Sequence, residues 1–326
     1  MSLEVGSGAS DSAAVHVRPM HADDLDSADR VMRLAFGTVR GLPDRSATFG
    51  DSDSVRTRFR AAPECAWAAD LNGEVVGSVF AARWGSFGFL GPLSVHPRLW
   101  DQGIGGRLLQ PVLEAFARWD LRQAGLFTFA TSPKHLGLYQ KYGFWPGSLT
   151  VVMTKASGAQ AQSPFTLVSK EAEERRRGLV LAEIRGLTDQ VIRGLDLGRE
   201  IVAANEQGIG DTVLLRREGT LEGMAVCHSG AGSEAGSDTC YVKFAAVRPG
   251  EEAPEQFERL VDACEAFAAE SELGRVVAGV STGRLDAYRR LLARGYRTER
   301  VGVSMWLRPE EPRFDTPAHY VIDDLR

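Results

Sequence analysis

The sequence has few cysteines, no long hydrophobic run and no excess of positive charge. Its 326 residues include four cysteines, none in a C-x-x-C spacing, which argues against a metal site and favours reduced thiols. No stretch reaches the roughly 18 apolar residues that a membrane-spanning helix needs. The chain opens without a charged-then-apolar leader. We therefore expect a cytoplasmic protein with no metal and no membrane partner.

The overall composition is that of a globular protein. Hydrophobic residues make up 44% of the chain and charged residues 25%, and this length is sufficient for two domains. The formal net charge of −5 argues against nucleic acid as the main partner. Residues 1–13 are small and polar, which predicts a disordered tail.

The stretch that organises the chain joins a strand to a helix through a glycine-rich turn. Phe87–Val95 reads as a strand, and an amphipathic helix follows from Ile104. The turn between them contains Gly103, Gly105 and Gly106. Backbone N–H groups at such a helix N-terminus can cradle a phosphate, although glycines also occur in strand-to-helix turns for purely geometric reasons. Neither the P-loop nor the dinucleotide-binding spacing is present.

A second stretch, His135–Phe144, makes the interpretation of the first one more specific. Together they resemble the GCN5-related N-acetyltransferase (GNAT) superfamily, in which a strand ending in Val-x-Pro precedes Arg/Gln-x-x-Gly-x-Gly/Ala and, later, Leu-Tyr-x-x-x-Gly-Phe. The matching segments are Val95–Pro97, Trp100–Gly105 and Leu138–Phe144. Trp100 stands where the family prefers Arg or Gln.

The resemblance implies a coenzyme site. The backbone of Leu93, Ser94 and Val95 would pair with the pantetheine arm of acetyl-CoA. The backbone of the following turn would bind the pyrophosphate; this turn comprises Asp101, Gln102, Gly103, Ile104, Gly105 and Gly106. Tyr139 matches the family's tyrosine near the coenzyme sulfur, where a phenol can protonate the departing thiolate. The general base stays open between His96, His135 and a water chain.

The second half of the chain repeats the pattern of the first. A shift of 152 residues places Val95-x-Pro97 on Val247-x-Pro249, and Gly143-Phe144 on Gly295-Tyr296. The residues that would hold the coenzyme are not repeated, and their counterparts are Glu255, Phe257, Glu258 and Leu291. Large and acidic side chains oppose phosphate binding.

We therefore predict an α+β (mixed α/β) fold with two tandem GNAT-like domains, each a mixed, mostly antiparallel sheet flanked by helices. Residues 14–156 would form the catalytic domain, 157–163 a linker, and 164–326 a degenerate copy without a nucleotide site. The acidic C-terminal segment from Tyr320 would be a docked tail.

The predicted function is acetyl transfer from acetyl-CoA, as co-substrate, to a primary amine on a small molecule or a peptide. Two alternatives remain at this point: a non-catalytic acyl-CoA-binding sensor, and an acyltransferase that uses a different acyl group. Whether the chain forms a homodimer is left open.

Overall fold

The computed structural model describes residues 15–158, 164–171 and 173–325. Helices and strands alternate through these residues, and the predicted mixed fold class is confirmed. The predicted tail and most of the predicted linker lie outside the described residues. The strands are β1 (His16–Pro19), β2 (Ala66–Leu71), β3 (Glu74–Trp84), β4 (Phe87–Val95), β5 (Gln123–Thr128), β6 (Trp145–Ala156), β7 (Thr166–Leu167), β8 (Gly210–Arg217), β9 (Thr220–Gly230), β10 (Gly236–Val247), β11 (Arg275–Ser281), β12 (Arg297–Trp306) and β13 (Val321–Ile322). The helices are α1 (Leu25–Val39), α2 (Ser54–Ala61), α3 (Ile104–Arg118), α4 (Pro133–Lys141), α5 (Glu174–Val191), α6 (Gly198–Glu206), α7 (Ala253–Glu270) and α8 (Leu285–Ala293).

The apolar periodicity of α3 is borne out by its packing. The helix buries one face against the sheet, including Ile104, Leu108, Val112 and Phe116. It continues through Pro111, although proline cannot donate a helical hydrogen bond. None of the described helices is long and apolar enough to cross a membrane.

One sheet runs through both halves of the chain. Its strand order is β1-β2-β3-β4-β5-β12-β6-β11-β10-β9-β8-β7, and β13 pairs with β10 outside this path. Among the strands of the described residues, the pairs β4–β5 and β10–β11 are parallel and the others antiparallel. The sequence predicts one sheet for each half, whereas the structure joins them into a continuous one.

The pairing registers repeat with the same spacing as the sequence. The β4–β5 ladder runs from Phe87 opposite Gln123 to Leu90 opposite Leu126. The β10–β11 ladder runs from Thr239 opposite Arg275 to Val242 opposite Ala278, so every partner is displaced by 152 residues.

Two glycines occupy equivalent places in the β3–β4 and β9–β10 ladders without following the 152-residue shift, since Gly77 lies opposite Val95 and Gly223 lies opposite Val247. A methyl group on Gly77 would lie 2.9 Å from the Ser94 carbonyl oxygen, and one on Gly223 would lie 3.3 Å from that of Ala246. Both glycines therefore allow the same close approach of neighbouring backbone.

The two halves exchange their last strands. In the first half, β5 pairs with β12 (Thr128 opposite Val303). In the second half, β11 pairs with β6 (Val280 opposite Val151), and these two contacts are again related by the 152-residue shift. Each closing strand thus completes the sheet of the other half, and β6 and β12 lie side by side at the centre.

The sheet of the first half is covered on both faces. On one face, α3 and α4 pack over β2 to β5 in a single apolar cluster. On the other face, Trp84, Phe87 and Phe89 contact a cluster that includes Met224 and Phe244 of the second half. The second half therefore lies against the face of the sheet that also carries α2.

Candidate active site

The strands β4 and β5 part halfway along their length. Their pairing ends at Leu90 and Leu126, while β12 pairs with the other edge of β5 from Gly125 to Thr128. The remaining part of β4 keeps β3 on one side only. A cleft therefore opens between β4 and β5 within the sheet.

A bulge marks the point of separation. Ala81 faces Leu90 and Val79 faces Leu93, so β4 has one residue more than β3 across this interval. The additional length comprises Gly91 and Pro92, joined by a cis peptide bond. The bulge turns the rest of β4 away from β5.

Along the open edge of β4, every second residue directs its backbone N–H and C=O groups away from β3. The His96 N–H donates to the Val76 carbonyl (2.8 Å), which fixes the alternation of the antiparallel ladder. The N–H and C=O groups of Leu93 and Val95 consequently point to the cleft, while those of Ser94 point to β3. The Ser94 hydroxyl is buried beside that of Ser78, at 3.1 Å.

Trp100, which departs from the family pattern, has a structural role at the end of β4. Its indole Nε1 donates to the Val95 carbonyl oxygen at 2.7 Å, so this oxygen already has a partner. The Lys134 ammonium lies 5.2 Å from the centre of the indole ring and 2.7 Å from Asp101 Oδ1.

The N-terminus of α3 lies beyond the end of β4. Gly103 precedes the helix with φ of 74°, and no side chain caps the helix. The first intrahelical bond is from Arg107 to Gly103, so the N–H groups from Gly103 to Gly106 have no partner in the helix. Asp101, Gln102 and Gly103 are exposed, and the Ile104 side chain is buried.

The glycines of this turn differ in what they face. A methyl group on Gly103 would meet nothing within 4 Å. On Gly105 it would lie 3.4 Å from Leu138 Cδ2 and 3.8 Å from Leu93 Cδ2, which shows that α3, α4 and β4 converge here. On Gly106 it would collide with the Tyr142 hydroxyl. Gly106 is therefore required by the packing of α4, and Gly103 and Gly105 leave the approach to the backbone open.

Tyr139 lies on α4 at the same convergence. Its side chain is 5% exposed, and its ring meets that of Phe144 edge to face at 6.3 Å. Burial raises the pKa of its phenol, and no other group contributes to the shift. The hydroxyl therefore stays protonated at neutral pH.

The two candidate histidines have local partners. His96 Nδ1 accepts from the Arg98 N–H at 3.2 Å, at the edge of a short 3-10 turn. His135 Nδ1 lies 2.6 Å from the Ser132 hydroxyl at the start of α4. Burial, together with the positive charge of Lys134, lowers the pKa of His135.

A buried charged cluster lies between the halves and has no signature in the sequence. It consists of Arg58 on α2, Glu200 on α6, Glu234 in the turn between β9 and β10, and Lys243 on β10. The Lys243 ammonium lies 2.6 Å from Glu234 and 3.1 Å from Glu200. Burial alone would raise the pKa of the Glu200 carboxyl, but Lys243 and His228 outweigh it and lower the pKa to about 2.

The cluster borders a cavity of about 40 Å³, which has room for about three water molecules. Phe89 and Trp84 line it from the first half, and His228 lines it from the second. His228 Nε2 is 3.5 Å from Glu200 Oε1. Within the described part of the chain, neither ring nitrogen of His228 has a hydrogen-bond partner.

The corresponding cleft of the second half is filled by the chain itself. After Val242, β10 pairs with β13, where Ala245 faces Ile322 and Ala246 faces Val321. Ala245 and Ala246 correspond to Leu93 and Ser94 in the 152-residue register. The C-terminal segment is held further by hydrogen bonds from Tyr241 to Asp324 (2.8 Å) and from Arg284 to Asp323 (2.6 Å).

The helix N-terminus of the second half differs from that of α3, although no side chain caps it either. α7 begins at Ala253, about one turn earlier than the register with α3 predicts, and Phe257 is fully buried beneath it. Glu255 is exposed in the first turn. Glu258, the counterpart of Gly106, forms ion pairs with Arg290 and Arg294 on α8, which balance its charge.

Comparison with known proteins places the first half in a family. Residues 37–144 match the model of the acetyltransferase (GNAT) family. The chain contains a GNAT-family domain. The match covers the cleft, the N-terminus of α3 and Tyr139, and it ends at Phe144. No curated protein sequence matches the chain significantly.

Solved structures resemble the whole chain and not the GNAT domain alone. A Pyrococcus horikoshii protein solved as a "Putative Acetyltransferase" has a TM-score of 0.67 at 15% identity, covering 95% of each chain. A GCN5-related N-acetyltransferase from Sphaerobacter thermophilus has a TM-score of 0.59 at 15% identity, covering 93% of this chain and 98% of that one. At these identities the likeness shows the fold, including the second half.

Proposed function

We propose that the protein is an acetyl-CoA-dependent N-acetyltransferase that binds one acetyl-CoA between β4 and β5 and transfers the acetyl group directly to a primary amine. The observation that carries the proposal is the edge of β4 left without pairing to β5 beyond Leu90, followed by the uncapped N-terminus of α3. The GNAT match over these residues supports the same assignment.

The cleft suits the two chemically different parts of coenzyme A. The N–H groups from Gly103 to Gly106, together with the helix dipole, would bind the pyrophosphate. The free backbone groups of Leu93 would pair with the amide-containing pantetheine arm as a strand does. The Val95 carbonyl oxygen already accepts a hydrogen bond from Trp100. The groups left for pairing with the pantetheine arm are therefore the N–H and C=O of Leu93 and the N–H of Val95.

The residues of the chain supply protonation and orientation. Acetyl-CoA supplies a thioester whose C–S bond breaks as the amine nitrogen forms a bond with the carbonyl carbon. A backbone N–H at the open edge would donate to the carbonyl oxygen, on which negative charge develops. The protonated Tyr139 hydroxyl would donate to the departing sulfur, whose conjugate acid has a pKa of about 8.5, and would regain from solvent a proton equivalent to the one that the amine nitrogen releases.

The proposal assigns the coenzyme to the first half alone. In the second half, β13 already pairs with the residues that correspond to Leu93 and Ser94. Phe257 is buried where Gly105 would stand in the register. We therefore infer that residues 164–326 form a degenerate GNAT-like copy with no coenzyme site.

The test is a thiol-release assay with acetyl-CoA and a panel of amines: a polyamine, an aminoglycoside, free amino acids and lysine peptides. Amine-dependent release of CoA is the expected result, and the best substrate identifies the acceptor class. Binding of acetyl-CoA without release for any amine would favour the sensor alternative. Turnover with a longer acyl-CoA and not with acetyl-CoA would show that the protein transfers a different acyl group. Absence of both binding and turnover would overturn the proposal.

A further inference from the structure

We propose that the second half of the chain sets the geometry of the coenzyme cleft in the first half, with Glu234 as a positioning residue that acts through Arg58 on the bulge of β4. This inference rests on the proposed function for its kinetic readout. It concerns a contact between halves that lie far apart in sequence.

Arg58 is held by Glu234 at two points. Its Nε lies 3.0 Å from Glu234 Oε1, and its NH2 lies 2.9 Å from Oε2. The side chains are 10% and 4% exposed. A two-point contact fixes the plane of the guanidinium as well as its position.

The remaining guanidinium nitrogen of Arg58 donates to the Gly91 carbonyl oxygen. Gly91 belongs to the bulge, where β4 has more residues than β3, and the bulge is where the cleft begins. Because Leu93 is only two residues further on, the orientation of the Gly91 peptide determines where the Leu93 N–H points. Arg58 thus links Glu234 to the backbone that would hold the thioester.

Glu234 is itself immobilised from both sides. Lys243 donates to it at 2.6 Å. The turn that carries it is tied to the first half, since the Gly232 N–H donates to the Asp51 carbonyl (3.0 Å) and the Asp53 N–H donates to the Ser233 carbonyl (2.8 Å). The turn therefore fixes the loop before α2 together with Arg58.

Loss of the Glu234 charge would displace Arg58. Burial works against charge on this carboxyl, but Arg58 and Lys243 hold its pKa well below the ordinary value, so it is an anion at neutral pH. Without it, Arg58 and Lys243 would be two buried cations sharing Glu200. An arginine left unpaired in the interior turns toward water, and Gly91 would lose its donor.

The test compares Glu234→Gln, the double variant Arg58→Met with Glu234→Met, and Asp323→Asn. The double variant removes both charges of the pair and leaves Lys243 with Glu200, so its melting temperature should recover toward that of the parent, although Gly91 still loses its donor. Asp323→Asn is the matched control, because Asp323 forms an equally buried pair with Arg284 that does not touch β4.

The expected result separates stability from activity. Glu234→Gln and the double variant should both lose about tenfold or more in kcat, since misplacement by about 1 Å can cost 10²-fold. Asp323→Asn should lower the melting temperature and leave kcat within about twofold. A double variant with a parental kcat would overturn the proposal, because Arg58 and Glu234 would then only stabilise the interface.

Hydrogen exchange of residues 90–96 tests the same claim without a ligand. Exchange of this segment should be faster in the double variant than in the parent, and unchanged in Asp323→Asn. Equal exchange in the double variant and the parent would overturn the positioning role. If the parent chain neither binds nor uses acetyl-CoA, the proposed function fails, and the exchange measurement still decides whether Glu234 positions the bulge.

Discussion

Tyr139 is the residue on which the proposed chemistry depends most directly. Its hydroxyl is buried, and burial is the only cause of its raised pKa. A phenol in this state is protonated at neutral pH.

Removal of the Tyr139 hydroxyl tests this role. In Tyr139→Phe, kcat should fall by about 10²-fold or more while the Kd for acetyl-CoA changes little, because general acid catalysis acts in the transition state. Stopped-flow thiol release and calorimetry give the two values. An unchanged kcat would leave Tyr139 as a packing partner of Phe144.

At the scale of single residues, sequence motifs identify some of the candidate site residues, but not the long-range contacts between them. Tyr139, Gly103 and Gly105 are found from motifs, because their spacing along the chain is local. Arg58 and Glu234 are separated by 176 residues, and no local pattern links them. Trp100 is visible as a departure from the family pattern, but its bond to the Val95 carbonyl follows only from the fold.

Among the elements, the first turn of α3 determines whether a phosphate can approach. Gly105 has space for a small group beside Leu138, whereas a glutamate would bring both bulk and negative charge to the helix N-terminus.

We expect Gly105→Glu to abolish acetyl-CoA binding while the circular dichroism spectrum is retained. Gly186→Glu is the matched control, since Gly186 is an exposed helical glycine in α5 with nothing within 4 Å of an added methyl group. The control should bind acetyl-CoA with the parental Kd by calorimetry. Tight binding by Gly105→Glu would show that the pyrophosphate lies elsewhere.

The elements themselves were largely predictable, and their partners were not. Apolar periodicity locates α3 and β4, because each buries one continuous face. The exchange of β6 and β12 has no trace in the sequence, since each strand would fit either half equally well. β13 has only two residues and is too short to give a pattern. The sequence predicts a helical stretch over 171–205 with breaks at Gly186, Gly194 and Gly198. The structure has two helices there, α5 and α6, with the break between Val191 and Gly198, while Gly186 lies inside α5.

Across the whole molecule, the cluster between the halves links stability to pH. The pKa of Glu200 falls from its ordinary 4.5 to about 2 in the folded chain, and that of Glu234 is also lowered. A carboxyl with a lowered pKa stabilises the fold above its unfolded pKa, and this contribution is lost as the pH falls through the folded value.

Stability should therefore decrease between about pH 5 and pH 2, with a contribution from Glu200 on the order of 3 kcal/mol. Urea unfolding as a function of pH measures it. Glu200→Gln should show a shallower decrease than the parent, and Glu251→Gln, at an exposed position at the start of α7, should not. A parental slope in Glu200→Gln would contradict the assigned pairing with Lys243.

The two halves share a topology, but only one has an open cleft. In the first half, the edge of β4 is free, and the N-terminus of α3 carries glycines. In the second half, β13 occupies the equivalent edge, and α7 buries Phe257. The second half is joined to the first through the shared sheet and an apolar interface, and we infer that it does not repeat the site.

Titration calorimetry of the intact chain with acetyl-CoA tests this asymmetry most directly. The account predicts a single class of sites with a stoichiometry of one per chain, abolished by Gly105→Glu. A stoichiometry near two would mean that acetyl-CoA displaces β13 or binds elsewhere in the second half. It would contradict the assignment of the coenzyme to the cleft between β4 and β5 alone.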